Sequence, residues 1–430
     1  MQRTFIAAVL LVATASVAAQ EKPQAFTGAT IITIAGEPIE NGTLVVDKGK
    51  IVAVGANVAI PANAERHDVT GKVVMPGLVD THSHIGKVSG ADSSGPIQPD
   101  VRALDSIDAR DASIQRAQSG GITTANIMPG SGYLLSGQTL YVKLRDGHTI
   151  DDIAVRNADG SYAGGMKMAN GTNPMRDAPF PETRSKSAAL VREQFVKAQE
   201  YRKKLREAKT PADRPARDLA MEGLVDVLDG KRVVHWHTHR HDDIATALRI
   251  SKEFGFKVVL QHATEAGKLA DEIAKAGAPC SIIFVDSPGG KLETMELTWK
   301  YGAILEKAGV LVAFHTDDPI TDSRWLMRAA GLGVRSGMSR KVALEALTIN
   351  GAKMLGLDKS VGSLEPGKDA DFIVLSGDPL SAYTHVLETW VDGTRVFDRS
   401  NPVDLLRAVG GLGAGDSRQS HTELELEGAN

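Results

Sequence analysis

The chain has 430 residues, 42% hydrophobic and only 5% aromatic, with 24% charged residues and a formal net charge of −4. That is enough apolar material for a large core spread over two or three domains, and it offers neither the basic face that phosphate backbones require nor the acidic bias of a disordered chain, so nucleic acid is not an expected partner. Twelve histidines stand against one cysteine, which leaves no internal disulfide and no cysteine pair for a structural zinc knuckle.

Residues 1–19 combine Arg3, an apolar run from about Phe5 to Val12, and small residues ending Val17-Ala18-Ala19. This is the layout of a signal peptide cleaved after Ala19, so an exported protein, periplasmic or secreted, is expected. The run is too short to span a bilayer, and no later segment offers about 18 uninterrupted apolar residues, so no stable membrane insertion is expected.

Residues 20–75 carry strand signals. ATIITIAG, NGTLVVDKGKIVAVG and GKVVMPG are short β-branched runs punctuated by turn residues. The same grammar returns over 358–400 in GSLEPGKDADFIVLSGDPL and TWVDGTRVFD. Neither piece can bury its apolar face alone, so the two chain ends are expected to form one small β-sandwich.

Between them, residues 76–357 alternate short apolar strands with helix-like stretches such as DDIATALRISKEFG and EAGKLADEIAKAG. The expected class is α/β with a parallel sheet, open or closed into a barrel, whose strand C-termini form the face that carries chemistry. Residues 183–229 interrupt the pattern: Leu190, Val191, Phe195, Ala198, Tyr201 and Leu205 keep helical spacing with basic residues opposite, which reads as a helical insertion with a solvated face. Residues 401–430, rich in glycine and polar residues toward their end, read as a flexible tail.

The chemistry sits in the histidines. His82 and His84 in VDTHSH end a strand, and the period of two puts both on one face. His235, His237, His239 and His241 alternate in VVHWHTHRH, and His262 in VVLQHAT and Asp317 in VLVAFHTDD each fall at the end of an apolar strand run. A random scatter would not place so many imidazoles at the ends of apolar runs. If the strands converge, these groups can hold a metal with positions left for water.

GKVVMPGLVDTHSH followed by QHAT, HTDDP and GSLEPGKDAD resembles the amidohydrolase superfamily of metal-dependent hydrolases, in particular its imidazolonepropionase-like and prolidase-like branch. The likeness covers nearly the whole chain after residue 19. It implies a (β/α)8 TIM-like barrel over 76–357 beside a small β-sandwich built from both chain ends. It implies His82, His84, His262 and Asp317 as metal ligands, with His237 matching the fifth-strand ligand and His239, then His235, as alternatives. Lys167 in GGMKMANG matches the fourth-strand lysine that is commonly carboxylated in binuclear members, with Lys143 in LYVKL as competitor; related sequences carry glutamate where Thr172 stands. His315 is read as a neighbour that packs beside the site.

The implied cofactor is a divalent metal, Zn2+ first, as one or two ions. Such an ion lowers the pKa of bound water to about 7 and polarises a carbonyl, while Asp317 serves as the general base. The expected reaction is hydrolysis of an amide, cyclic amide or dipeptide C–N bond in a small-molecule substrate. Cleavage of an ester, lactone or carbamate on the same fold is the alternative, and a non-catalytic zinc-binding protein is a third reading. Tyr133, His239, Arg240 and Arg324, in loops after the strands, are candidate substrate contacts, an arginine being suited to a carboxylate. Cys280 reads as a buried small hydrophobe. A homo-oligomer is left open.

Overall fold

In the computed structural model, residues 22–88, 92–284 and 291–410 are described; the expected signal peptide and residues 411–430 lie outside them. The β-branched runs at the start of the chain form strands β1 (Gln24–Ile31), β2 (Ile39–Asp47) and β3 (Lys50–Gly55) as an antiparallel meander, with β4 (Glu65–Asp68) and β5 (Val73–Pro76) parallel to β1. Gly77 then turns the chain directly into β6 (Leu78–Ser83). A Cβ at Gly77 would come within 2.2 Å of the Thr123 side chain, so only glycine lets the two layers approach this closely.

Strands β7 (Ile122–Ile127), β8 (Leu135–Gln138), β9 (Leu140–Lys143), β10 (Met166–Ala169), β11 (Val234–Thr238), β12 (Val258–His262), β13 (Cys280–Ile282) and β14 (Val312–Phe314) follow. Strands β10 to β14 run parallel in order, with Lys167 opposite His235, Ala169 opposite His237 and Thr238 opposite His262. A three-stranded ladder, β6-β7-β9, stands beside them. At one seam the Asp317 amide donates to His82 O at 2.9 Å and the Thr316 amide to Asp80 Oδ1 at 3.1 Å. At the other, only Thr139 separates β8 from β9. The helices Arg240-capped His241–Phe254, Ala270–Ala276 and Leu326–Arg335 connect or follow these strands, as a parallel sheet requires.

Near the far end β15 (Phe372–Leu375), β16 (Val386–Val391) and β17 (Thr394–Asp398) return to the first layer, β15 pairing antiparallel with β5. The chain ends thus join, as expected, and hydrogen bonding makes them one mixed sheet of eight strands. The reason for their union is apolar: the Phe26 ring stands edge-on to Phe372 at 4.8 Å and to Trp390 at 5.0 Å, a cluster that neither end could bury alone.

The 183–229 segment holds two helices, Arg184–Glu207 and Leu219–Leu228. Val191, Phe195, Ala198 and Tyr201 face inward, and Phe195 stacks on Phe254 and Phe256. The expected tail needs a correction: Pro402–Val409 is a helix, begun by Asn401, whose side chain caps the Val403 amide, with proline in the first turn. Among the described residues no helix is long and apolar enough to cross a membrane.

Candidate metal centre

Strand ends bring the histidines together. His82 and His237 each lie one residue before the end of their strands, β6 and β11, and His262 closes β12; His82, His235, His237, His262, His315 and Lys167 are all buried. The rings of His82 and His262 are 4.9 Å apart, those of His262 and His237 4.4 Å, and those of His237 and His239 4.6 Å. Asp317 Oδ1 lies 3.2 Å from His82 Nε2 and 2.9 Å from His84 Nε2, and Lys167 Nζ sits 2.9 Å from His82 Nε2. His262 and Asp317 both hold left-handed backbone, φ 65° and 50°, strain of the kind that persists where a site requires it.

The outer hydrogen bonds decide which ring nitrogen points where. Met128 O can only accept, so His84 Nδ1, 2.7 Å away, must donate. Nε2 is then the ring atom left to face the carboxylate of Asp317. A proton or a cation must join the two at 2.9 Å, and a backbone carbonyl behind the ring is how metal-bound histidines are oriented. His82 repeats the device: its Nδ1 faces Gln261 Oε1 at 3.2 Å, leaving Nε2 toward Asp317. Gln261 in turn donates to His235 Nδ1 at 3.0 Å, and His235 Nε2 meets Tyr141 Oη at 3.1 Å. Both nitrogens of His235 are spent on this relay, so of the three strand-five histidines it is a positioning residue. His315 is likewise occupied, Nδ1 by Ser281 Oγ at 2.7 Å and Nε2 by His262 Nδ1 at 3.2 Å, while His262 Nε2 has no hydrogen-bond partner and lies 3.9 Å from Asp317 Oδ2. His315, although close enough to His82 and His262 to ligate with them, orients His262.

Burial holds these imidazoles neutral. The pKa values of His82, His237 and His262 fall well below the usual 6.5, and those of His235 and His315 fall to about 3, so the rings keep lone pairs for a cation at neutral pH. Burial likewise pushes the Lys167 ammonium down to about 7 despite the pull of Asp317.

Two groups therefore have ligating atoms within reach of one another and share no residue: His82, His84 and Asp317, and His237, His239 and Glu293. Glu293 was not singled out by the sequence, because it lies on the single turn Leu292–Thr294 with no spacing signal. Its Oε2 accepts from the Thr172 amide at 2.9 Å, so the carboxylate absent at position 172 arrives from another part of the chain. The donor set is nitrogen and oxygen, as divalent zinc-like ions favour.

The sequence profile of the Amidohydrolase family matches residues 73–397. The chain belongs to the amidohydrolase family. It is 37% identical to an amidohydrolase from Thermotoga maritima MSB8, which superposes with a TM-score of 0.82 over 87% of this chain and 100% of that one. It is 28% identical over 401 residues to the amidohydrolase tasK of Hapsidospora irregularis, a match covering 85% of this chain but only 40% of that protein. The imidazolonepropionase of Cupriavidus pinatubonensis is 24% identical over 384 residues, covering 78% of this chain and 83% of that protein.

In this amidohydrolase the competitor lysine, Lys143, is far from free. Its Nζ lies 2.8 Å from Asp369 and 3.0 Å from Asp371 and also bonds Asp392, whereas Lys167 reaches the histidines. Asp318 accepts from the Ser323 amide and hydroxyl at 2.8 and 2.7 Å, which leaves Asp317 as the carboxylate facing the rings. Of the candidate substrate contacts, Tyr133 packs on Phe180 under the Arg176 guanidinium, and Arg240 pairs with Asp242 at the start of a helix. Arg324 requires correction: its guanidinium grips Asp322 and donates to Gly410 O at 2.6 Å, so it ties down the C-terminal helix. His239, expected to touch substrate and named as an alternative ligand, stands beside His237 and Glu293. Cys280 is buried in β13 and its thiol pKa is raised by burial.

Proposed function

We propose that this amidohydrolase is an exported, metal-dependent hydrolase of a C–N bond in a small amide, cyclic amide or dipeptide, with the β6–β14 strands closing into one (β/α)8 barrel around the site. The observation that carries the reading is the convergence of His84 Nε2 and His82 Nε2 on Asp317 Oδ1, at 2.9 and 3.2 Å, with the His84 ring pinned from behind by Met128 O. His82, His84 and Asp317 would hold the ion, with Lys167 and His262 beside them. A divalent ion there supplies acidified water and an electrophile for the scissile carbonyl.

The remaining work falls to the chain. Asp317 takes the proton of the attacking water and delivers it to the leaving nitrogen as the C–N bond breaks. Met128 O and Gln261 fix the two imidazoles so that neither ring turns during this transfer. Near His237, Asn173 bonds Ser131 and Lys291, and Arg176 lies over Tyr133 and Phe180; these cations suit a substrate bearing a carboxylate. Buried ligands at separate strand ends do not suit a storage protein, whose histidine tracts would be solvated.

Purified protein, its metal measured, should hydrolyse members of a panel of N-acyl amino acids, cyclic imides and dipeptides, lose activity to a chelator and regain it with Zn2+. Turnover confined to esters or lactones would replace the C–N reading, and activity indifferent to chelation would refute the metal reading. Sequencing of the mature N-terminus tests export, with Gln20 expected first.

A further inference from the structure

The helices Leu326–Arg335 and Pro402–Val409 and the segment between β15 and β16 enclose a groove of about 650 Å³, within the range of binding clefts. Its walls are apolar where Leu332, Leu380, Val386 and Val409 meet, and Trp325 on its rim is 52% exposed. The helix Pro402–Val409 buries none of its residues: Val403, Leu406 and Val409, three apart, are each more than half exposed. An apolar stripe at that spacing ordinarily packs against a partner. Charge in the groove is one-sided. Arg328, Arg335 and Arg399 line it, and no aspartate or glutamate does. Arg399 is half-buried, and among the described residues neither its guanidinium nor that of Arg335 has a hydrogen-bond or ion-pair partner. Burial lowers the pKa of Arg399 and no carboxylate stands near enough to offset it, a cost that an anion in the groove would relieve.

An occupant of the matching chemistry is at hand in the same chain. Arg324 donates to Gly410 O at 2.6 Å, and Gly410 itself lines the groove, so the chain continues past residue 410 from this place. The sequence that follows opens with the glycine-rich GLGAG and reaches HTELELE, in which Leu424 and Leu426 alternate with Glu423, Glu425 and Glu427. Three carboxylates interleaved with two leucines complement three arginines set on apolar walls. Reach is no obstacle, since the residues between Gly410 and Leu424 span about 20 Å even as a flexible coil. A tethered segment of this kind meets its site at an effective concentration in the millimolar range, which a separate partner would have to match.

We propose that this groove is the docking site of the chain's own acidic segment, residues 421–427, with its leucines on the apolar walls and its glutamates on Arg328, Arg335 and Arg399. The proposal goes beyond the hydrolytic reading and does not rest on it.

A fluorescein-labelled peptide of residues 411–430, added to the full chain and to protein shortened by those residues, tests this by fluorescence anisotropy. The shortened protein should bind the peptide at least tenfold more tightly than the full chain, whose own segment competes for the groove. Arg399→Gln in the shortened protein should weaken binding by about tenfold, and so should a peptide carrying Glu423→Gln, Glu425→Gln and Glu427→Gln. Near-UV circular dichroism checks folding; if Arg399→Gln does not fold, the altered peptide decides. The proposal is overturned if the shortened protein does not bind the peptide, if both proteins bind it equally, or if a folded Arg399→Gln variant binds it as before. Concentration-dependent dimers of the full chain in sedimentation, lost on shortening, would give the groove to a second copy's segment and overturn it too. None of these readouts depends on turnover or on metal, so a failure here is distinct from a failure of the hydrolytic reading.

Discussion

The Nε2 atom of His84 lies 2.9 Å from Asp317 Oδ1 while the same ring is pinned from behind by Met128 O at 2.7 Å. This geometry commits one ring nitrogen to the backbone and the other to whatever cation joins it to the carboxylate, so it separates two roles that Asp317 combines. Asp317→Asn preserves an oxygen at that place but removes the charge and the base. Its kcat/KM should fall by on the order of 10²–10⁴, while His82 and His84 retain much of the metal. A variant that keeps wild-type rates would sink the general-base role.

The relay Tyr141–His235–Gln261–His82 makes a different prediction. Gln261 accepts from His82 at 3.2 Å and donates to His235 at 3.0 Å, which sets the tautomer of His82. Gln261→Leu leaves His82 Nδ1 buried and unpaired, and metal affinity should drop roughly 10- to 100-fold in a folded protein. Gln261→Glu, which still accepts from His82, should recover part of the loss. Competition against a calibrated chelator measures both, and wild-type affinity in the leucine variant would remove Gln261 from the site.

How far this centre is legible in the sequence depends on how each residue reaches it. His82, His84, His237, His262 and Asp317 arrive from strand ends, where a period of two and an abrupt apolar stop mark them. Gln261 is hidden beside His262 because nothing in VVLQHAT distinguishes a ligand from the amide that orients its neighbour. Glu293 is invisible for a stronger reason: its position depends on a loop folding back to the Thr172 amide, a contact with no local signature. Arg324 misleads because its partner, Asp322, is two residues away and the carbonyls it holds belong to a helix read as tail. The fold is clearer, since Phe26, Phe372 and Trp390 at opposite chain ends had to find common cover, although the order of eight strands is set by pairing choices that composition leaves open.

Lys167 carries the pH dependence. Its folded pKa is about 7 against an ordinary 10.5, so between those values the unfolded chain binds a proton that the native protein lacks, and stability of the metal-free protein should rise with pH across that window. Below pH 7 both states are charged and the burial cost is felt in full. Lys167→Met removes the titration: its stability relative to wild type should be most favourable near and below pH 7 and should decline toward pH 10.5. Denaturant unfolding of stripped protein at both ends of the window reads this directly. Parallel pH profiles for the two proteins would show that the amine is not buried as described.

The other buried lysine ties the GKDAD and VDGT segments to β9. Lys143 leaves the end of β9 and meets Asp369 and Asp371 at 2.8 and 3.0 Å, together with Asp392, while Arg145 bonds Asp392 at 2.6 Å and Lys50 bonds Asp369 at 2.5 Å. The aspartates belong to the chain-end sheet and its turns, so the cluster clamps that sheet to the β6-β7-β9 ladder. Burial raises the Asp371 carboxyl to about 6 even with the lysine beside it. Lys143→Met would leave this carboxylate without its cation, and breaking a buried pair from one side costs about 3–5 kcal/mol. The variant should unfold at markedly lower denaturant concentration while keeping its turnover per folded molecule, and Asp371→Asn in the same chain should restore part of the stability. A loss under about 1 kcal/mol, the range of exposed ion pairs, would mean that water reaches the cluster and that apolar contacts among Phe26, Phe372 and Trp390 hold the chain-end sheet in place without it.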